Sequence, residues 1–180
     1  HGTGADEHDL LGLARALDPE ASVLSPRGMH LESGMNRFFE RYPDGSFNEA
    51  SIDQGVAELS EFIEAAIVEY ELDRSNIFGT GFSNGANTAA ALMIKHPALL
   101  SGAALFGSTK PYREVEDISL KGKRMWLANG DQDPYAPVQV SEAWVQELHS
   151  FGADIKWLRH PGGHQISQSH VTEIANALYL

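Results

Sequence analysis

The chain has 180 residues, 42% of them apolar and 21% charged, which is enough for one globular domain with a real core and too little for two ordinary ones. With 13 Lys+Arg against 25 Asp+Glu it carries a formal net charge of −12, so its surface repels phosphate backbones and no nucleic-acid partner is expected. Cysteine is absent, which excludes disulfides, thiolate metal sites and a cysteine nucleophile, and no apolar run nears the ~20 residues of a membrane span, so no stable membrane insertion is expected.

The chain opens on His1-Gly2-Thr3-Gly4 without a start methionine, as a mature N-terminus or a trimmed chain would. Leu10, Leu13, Ala14 and Leu17 then have helical spacing. The apolar run Ala21 to Ser25 stops at Pro26-Arg27-Gly28 and reads as a strand. Residues 27–48 have no clear period but hold Met29, Met35, Phe38, Phe39, Tyr42 and Phe47. An irregular stretch packed on the core and the wall of a substrate pocket are equally good readings of them; Met35, Phe38 and Phe39 are the pocket candidates.

Ser51-Ile52-Asp53-Gln54 has the capping-box pattern. After it Ile52, Val56, Leu59, Ile63, Ala66, Ile67 and Tyr70 trace one helical face, with Glu58, Glu61, Glu64 and Glu69 largely off it. Asn76 to Thr80 is strand-like, and Asn84 to His96 is a helix stopped by Pro97. Gly102 to Phe106 and Met125 to Ala128 read as buried strands, separated by a polar, mixed segment that suggests a surface excursion or flap. Val140, Trp144, Leu148 and Phe151 mark another helix, Asp154 to Leu158 alternate like a strand, and Val171, Ile174, Ala175 and Leu178 give a closing helix. Alternating strands and helices predict a single α/β domain over residues 1–180 with a mostly parallel sheet and helices on both faces.

Gly81-Phe82-Ser83-Asn84-Gly85 lies between the strand and the alanine-rich helix, the context in which G-x-S-x-G carries meaning. The turn is too tight for side chains at −2 and +2, and glycine at both leaves the serine hydroxyl exposed. A serine needs a base, and the base needs an orienting acid. In doubly wound hydrolases the acid and base follow the serine in the chain, each after a strand. Asp131 and Asp133 both lie just past the strand ending at Ala128. Asp133 is preferred because Asp133-Pro134, with Pro137 beyond, makes a rigid loop. For the base, His164 sits on a glycine-paired loop after the next strand, with His160 and His170 as rivals. The spacing of these histidines matches no zinc signature, so no metal is expected.

Acyl transfer puts negative charge on a former carbonyl oxygen, and losing one aimed N–H donor costs ~3–4 kcal/mol of transition-state stabilisation. A glycine-rich loop before the first helix and the residue after the nucleophile are the usual donors, which points to the N–H groups of Thr3 and Asn84. His1 is expected to hold that loop rather than to act as a base.

With these pieces in order, the chain resembles the phospholipase/carboxylesterase family of α/β-hydrolases along its whole length. The resemblance is carried by His1-Gly2-Thr3-Gly4 with Asp6-Glu7-His8-Asp9, Ser25-Pro26-Arg27-Gly28, Gly34-Met35-Asn36-Arg37-Phe38-Phe39, Gly81 to Asn87, Gly130-Asp131-Gln132-Asp133-Pro134 and Gly162-Gly163-His164-Gln165. The Arg-Gly and Met-x-Arg-Phe-Phe stretches look closest to the bacterial carboxylesterase subgroup associated with hydroquinone resistance. The resemblance implies a cofactor-free serine esterase for short- to medium-chain acyl esters, with Ser83, Asp133 and His164 at the triad positions. Members normally carry a strand or more before the His-Gly loop, so the sheet is expected to lack its N-terminal strand or strands. Tyr135-Ala136 stands where small aliphatic residues are common. An acyltransferase and a non-catalytic binder of small molecules on the same scaffold stay open as alternatives, as does a homodimer. A cytoplasmic location is the working expectation.

Overall fold

The computed structural model describes residues 1–116 and 118–178. In chain order the elements are α1 (Leu11–Leu17), the short strands β1 (His30–Glu32) and β2 (Met35–Arg37), the long helix α2 (Glu49–Glu69), β3 (Phe78–Phe82), α3 (Asn84–Lys95), β4 (Gly102–Phe106), β5 (Arg124–Gly130), α4 (Val138–Ser150), β6 (Asp154–His160) and α5 (Gln168–Ala177). Strands β3 to β6 form a four-stranded parallel sheet in sequential order. Its register sets Gly81 beside Leu105, Leu105 beside Leu127 and Leu127 beside Trp157. Because the strands run one way, all four C-terminal ends lie along one edge, where side chains from distant parts of the chain can converge.

Period-two alternation divides the sheet between two cores. Ala103, Leu105, Met125 and Leu127 pack with Ile63 of α2, Met93 of α3 and Trp144 of α4. Their neighbours Ala104, Phe106, Trp126 and Ala128 pack with Leu17 of α1 and with Val171 and Ile174 of α5. Both faces of the sheet are therefore covered by helices, which is why β4 and β5 read as continuous apolar runs. Leu105, Leu127 and Ile174 are fully buried, and each such side chain contributes about 1.5–3 kcal/mol. Every residue of α3 from Asn84 to Ile94 is buried, and its alanines let the helix lie close between β3, β4 and α2.

Several local expectations are corrected. Ala21 to Ser25 is not a strand: no strand pairs with it among the described residues, Val23 and Leu24 are exposed, and the segment is tied instead by Ser25 Oγ–H donating to the Glu7 carbonyl at 2.7 Å. The segment 27–48 contains a hairpin, β1 and β2 paired antiparallel around Ser33-Gly34, both with positive φ, 52° and 80°. That is the I′ geometry suited to a two-residue turn. Helix α2 starts earlier than the capping-box pattern implies. Asn48 caps it by accepting from the Ser51 N–H at 3.2 Å, while the Ser51 hydroxyl accepts from the Glu40 N–H at 2.9 Å. Tyr70 lies past the helix end and is exposed. The stretch between β4 and β5 is no free flap. Tyr112 is buried with its hydroxyl donating to Asp53 at 2.9 Å, and Leu120 is buried in the core.

Candidate active site

Strand β3 ends at Phe82, and Ser83 turns the chain with φ 53° and ψ −117° before α3 begins at Asn84. A non-glycine residue held there costs on the order of 1–3 kcal/mol, and such strain clusters at functional sites. Two backbone bonds over-determine the turn: Ser83 N–H donates to the Phe106 carbonyl and Asn87 N–H to the Ser83 carbonyl, both at 2.9 Å. The flanking glycines are forced by space. A Cβ on Gly81 would stand 2.6 Å from the Gly85 carbonyl carbon, and one on Gly85 would stand 2.6 Å from the His1 oxygen. The Ser83 hydroxyl has no hydrogen-bond partner among the described residues.

The loop after β5 brings Asp133 to the same edge. Its side chain is fully buried; Oδ1 accepts from the N–H groups of Tyr135 (2.8 Å) and Ala136 (3.2 Å), and Oδ2 lies 2.7 Å from His164 Nδ1. A carboxylate only accepts, so His164 carries its proton on Nδ1 and leaves Nε2 with a free lone pair. The imidazole is wedged between Phe82 and Tyr135, with ring centroids 4.8 and 4.9 Å away. The rivals lie elsewhere. Asp131 forms an exposed ion pair with Arg159 at 2.7 Å. His160 is buried and braces its own loop, accepting from the Gly162 N–H at 3.0 Å and lying 3.3 Å from the Gln165 carbonyl. His170 packs on His160 with ring centroids 5.3 Å apart, and its buried Nδ1 has no hydrogen-bond partner among the described residues.

The opening loop closes the site from the other side. His1 Nε2 accepts from the Gly28 N–H at 2.9 Å, so its Nδ1 donates to the Gly2 carbonyl at 2.8 Å, and its ring packs 4.7 Å from Phe38. Arg37 Nη1 donates to Thr3 Oγ1 at 2.6 Å, and Gly4 N–H to the Asn36 carbonyl at 2.9 Å. The loop is thus sewn to β2. The N–H groups of Thr3 and Asn84 have no protein acceptor among the described residues. For Asn84 this follows from its place in the first turn of α3.

These groups face one cleft of about 680 Å³, lined among others by Thr3, Ser83, Asn84, His164, Met35 and Tyr135. Met35 is on its wall. Phe38 and Phe39 are not. Phe38 backs His1 and donates its N–H to Asn84 Oδ1 at 2.8 Å; Phe39 is a core residue, edge-on to Phe47 with centroids 5.0 Å apart. Beneath the cleft runs a buried polar network that the sequence did not reveal. Asn87 Oδ1 accepts from Ser108 Oγ–H and Thr109 N–H, and Asn129 bridges Ser108 and Ser141, all near 3 Å. It ties α3, the loop after β4, the end of β5 and α4 together, and only the polar character of residues in apolar elements could have signalled it. Among the described residues, no group of three or more His, Asp or Glu could hold a metal ion, and no helix is long and apolar enough to cross a membrane.

A parallel sheet flanked by helices, with a serine on a strained strand-to-helix turn and an Asp–His pair on later loops of the same edge, is the α/β-hydrolase fold. The chain belongs to the phospholipase/carboxylesterase family of hydrolases, whose model matches residues 1–180. It is 38% identical over 179 residues to a putative hydrolase, MhqD, of Bacillus subtilis, covering 99% of this chain and 89% of that one. Among solved structures it resembles the Bacillus cereus carboxylesterase, with a TM-score of 0.94 and 40% identity, over 98% of this chain and 84% of that one. It also resembles a carboxylesterase from Mesorhizobium loti, with a TM-score of 0.92 and 30% identity, over 99% and 85% of the two chains.

Proposed function

We propose that the protein is a serine carboxylesterase that cleaves short- to medium-chain acyl esters through an acyl-enzyme on Ser83. Ser83 Oγ attacks the ester carbonyl carbon as its proton passes to His164 Nε2. Asp133 holds the imidazole in the tautomer that leaves Nε2 free and steadies the imidazolium that forms. The oxyanion is received by the N–H groups of Thr3 and Asn84. His164 then returns the proton to the leaving alcohol. A water then attacks the acyl carbonyl as it gives a proton to the same nitrogen, and His164 returns that proton to Ser83 Oγ as the carboxylic acid leaves.

The observation that carries this reading is the convergence on one cleft of a strained, unpartnered Ser83 and a His164 whose Nδ1 is bound to Asp133 at 2.7 Å. The absence of a direct Ser83–His164 bond is compatible with it, because catalytic bonds in empty sites tighten when substrate arrives. The cleft volume of about 680 Å³ suits a small ester, and Met35, Phe47 and Phe82 supply an apolar wall.

The test is a panel of chromogenic esters of increasing acyl length, assayed with wild type and Ser83→Ala. Turnover that falls off with long chains and vanishes in Ser83→Ala is expected. Undiminished turnover in folded Ser83→Ala would overturn the reading.

A further inference from the structure

The chain is strongly acidic, yet the cleft wall built from the segment after α1 presents two guanidinium groups, Arg37 and Arg41, against one carboxylate, Asp9. Glu32 answers both arginines and stands behind them: it lines the smaller neighbouring cavity and not the cleft. Glu32 and Asp9 together match the two guanidiniums in formal charge, but only Asp9 lines the cleft, so the cleft face itself carries two cations to one anion. The sharing of Glu32 also leaves donors unused. Arg37 spends Nε on the Phe39 carbonyl at 3.0 Å and Nη1 on Thr3 Oγ1 at 2.6 Å, which leaves Nη2 without a partner among the described residues. Arg41 grips Glu32 through Nε and Nη2, which leaves Nη1.

The position of these donors matters as much as their charge. Arg37 is bonded to the side chain of Thr3, whose N–H is the proposed oxyanion donor. Arg41 lies within electrostatic reach of Tyr135, whose ring packs on His164 with centroids 4.9 Å apart. Both arginines thus line the same cleft as Ser83 and His164, and they also line the smaller cavity behind it. Burial, with repulsion from Arg41, weakens the hold of Arg37 on its proton against the pull of Glu32, whereas the Glu32 bond strengthens that of Arg41, so Arg37 is the guanidinium that an incoming anion would relieve.

We propose that this wall is a subsite for an anionic group, so that the protein's substrates are esters carrying a free carboxylate beside the bond that is cut. Planar guanidinium forks match carboxylate oxygens in geometry as well as charge. Arg41 is the specificity-determining residue, because its side chain is part-exposed and is not needed to hold the donor loop. Arg37 supplies the second charge and also positions Thr3. The inference rests on the esterase reading, and adds to it what the substrate must carry.

The test compares matched esters that differ only in the carboxylate. One pair bears it on the acyl side, the mono-para-nitrophenyl ester of adipic acid against para-nitrophenyl hexanoate. The other bears it on the alcohol side, para-acetoxybenzoate against phenyl acetate. The ratio of kcat/KM, anionic over neutral, is measured for wild type, Arg41→Gln and Arg41→Lys, with each variant checked for folding by thermal melting. In at least one pair the wild-type ratio is expected to exceed one, to fall about tenfold in Arg41→Gln and to recover in part in Arg41→Lys. It should also decline as salt is raised. Ratios below one in both pairs, or ratios unmoved by Arg41→Gln, would overturn the proposal while leaving the esterase reading intact. Failure of all four esters in folded protein would instead sink the esterase reading, and the carboxylate subsite with it.

Discussion

Replacing Asp133 by Asn separates the geometry of the acid loop from its charge. Asp133 Oδ1 takes two backbone N–H groups, from Tyr135 and Ala136, and Oδ2 takes the proton of His164 Nδ1. An Asn side chain has one oxygen to offer. Keeping both backbone bonds turns its NH₂ toward His164, where a donor would meet a donor. The imidazole escapes that clash by moving its proton to Nε2, and Nε2 can then no longer accept the proton of Ser83. A base locked in the wrong tautomer lowers kcat by about ten-thousand-fold in serine hydrolases of this design, or about 5 kcal/mol of transition-state stabilisation. The fold should survive, since the loop keeps its backbone bonds. The measurement is kcat on a chromogenic ester together with a thermal melt. Asp131→Asn serves as the control: it removes only an ion pair with Arg159 whose partners are 40% and 45% exposed, so activity should stay within about twofold. A loss below about tenfold in Asp133→Asn, or an equal loss in Asp131→Asn, would refute the assignment of the acid.

Other expectations follow from single contacts. Ser83→Gly should abolish ester turnover yet raise stability by about 1 kcal/mol, because glycine relieves the strained φ of 53°; a lowered melting temperature would contradict that. Gly85→Ala places a Cβ 2.6 Å from the His1 oxygen and should displace the donor loop, lowering kcat by about a hundredfold; unchanged kinetics would argue against Thr3 as a donor. Thr3→Val removes the acceptor of Arg37 Nη1 and should cost about 1–3 kcal/mol in denaturant unfolding. His164→Ala should remove activity, whereas His160→Ala should chiefly destabilise the loop it braces; the reverse ranking would move the base to His160.

What could be read from the chain alone depended on whether the physics was local. Gly81 and Gly85 announce the strand-to-helix turn because nothing larger fits on either side of Ser83. Strands β4 and β5 announce themselves because burial on both faces demands unbroken apolar runs. The hairpin at 30–37 escaped because three-residue strands are too short to show a period, although the Ser33-Gly34 dipeptide is a turn signal. The start of α2 was misplaced because Ser51 has the chemistry of a cap but spends its hydroxyl on Glu40, leaving the cap to Asn48. Phe38 and Phe39 look like pocket residues by composition, yet one is spent on holding His1 and the other on the core. The Asn87–Ser108–Asn129 network was hidden because its partners lie about twenty residues apart and meet only once the sheet has formed.

Ser83 as the nucleophile is tested most directly by the mass of the protein after treatment with a serine-directed phosphonate, followed by peptide mapping. We expect a single adduct on Ser83, absent from folded Ser83→Ala and formed far more slowly in His164→Ala. An adduct on another residue, or none at all in folded wild-type protein, would contradict a nucleophilic Ser83.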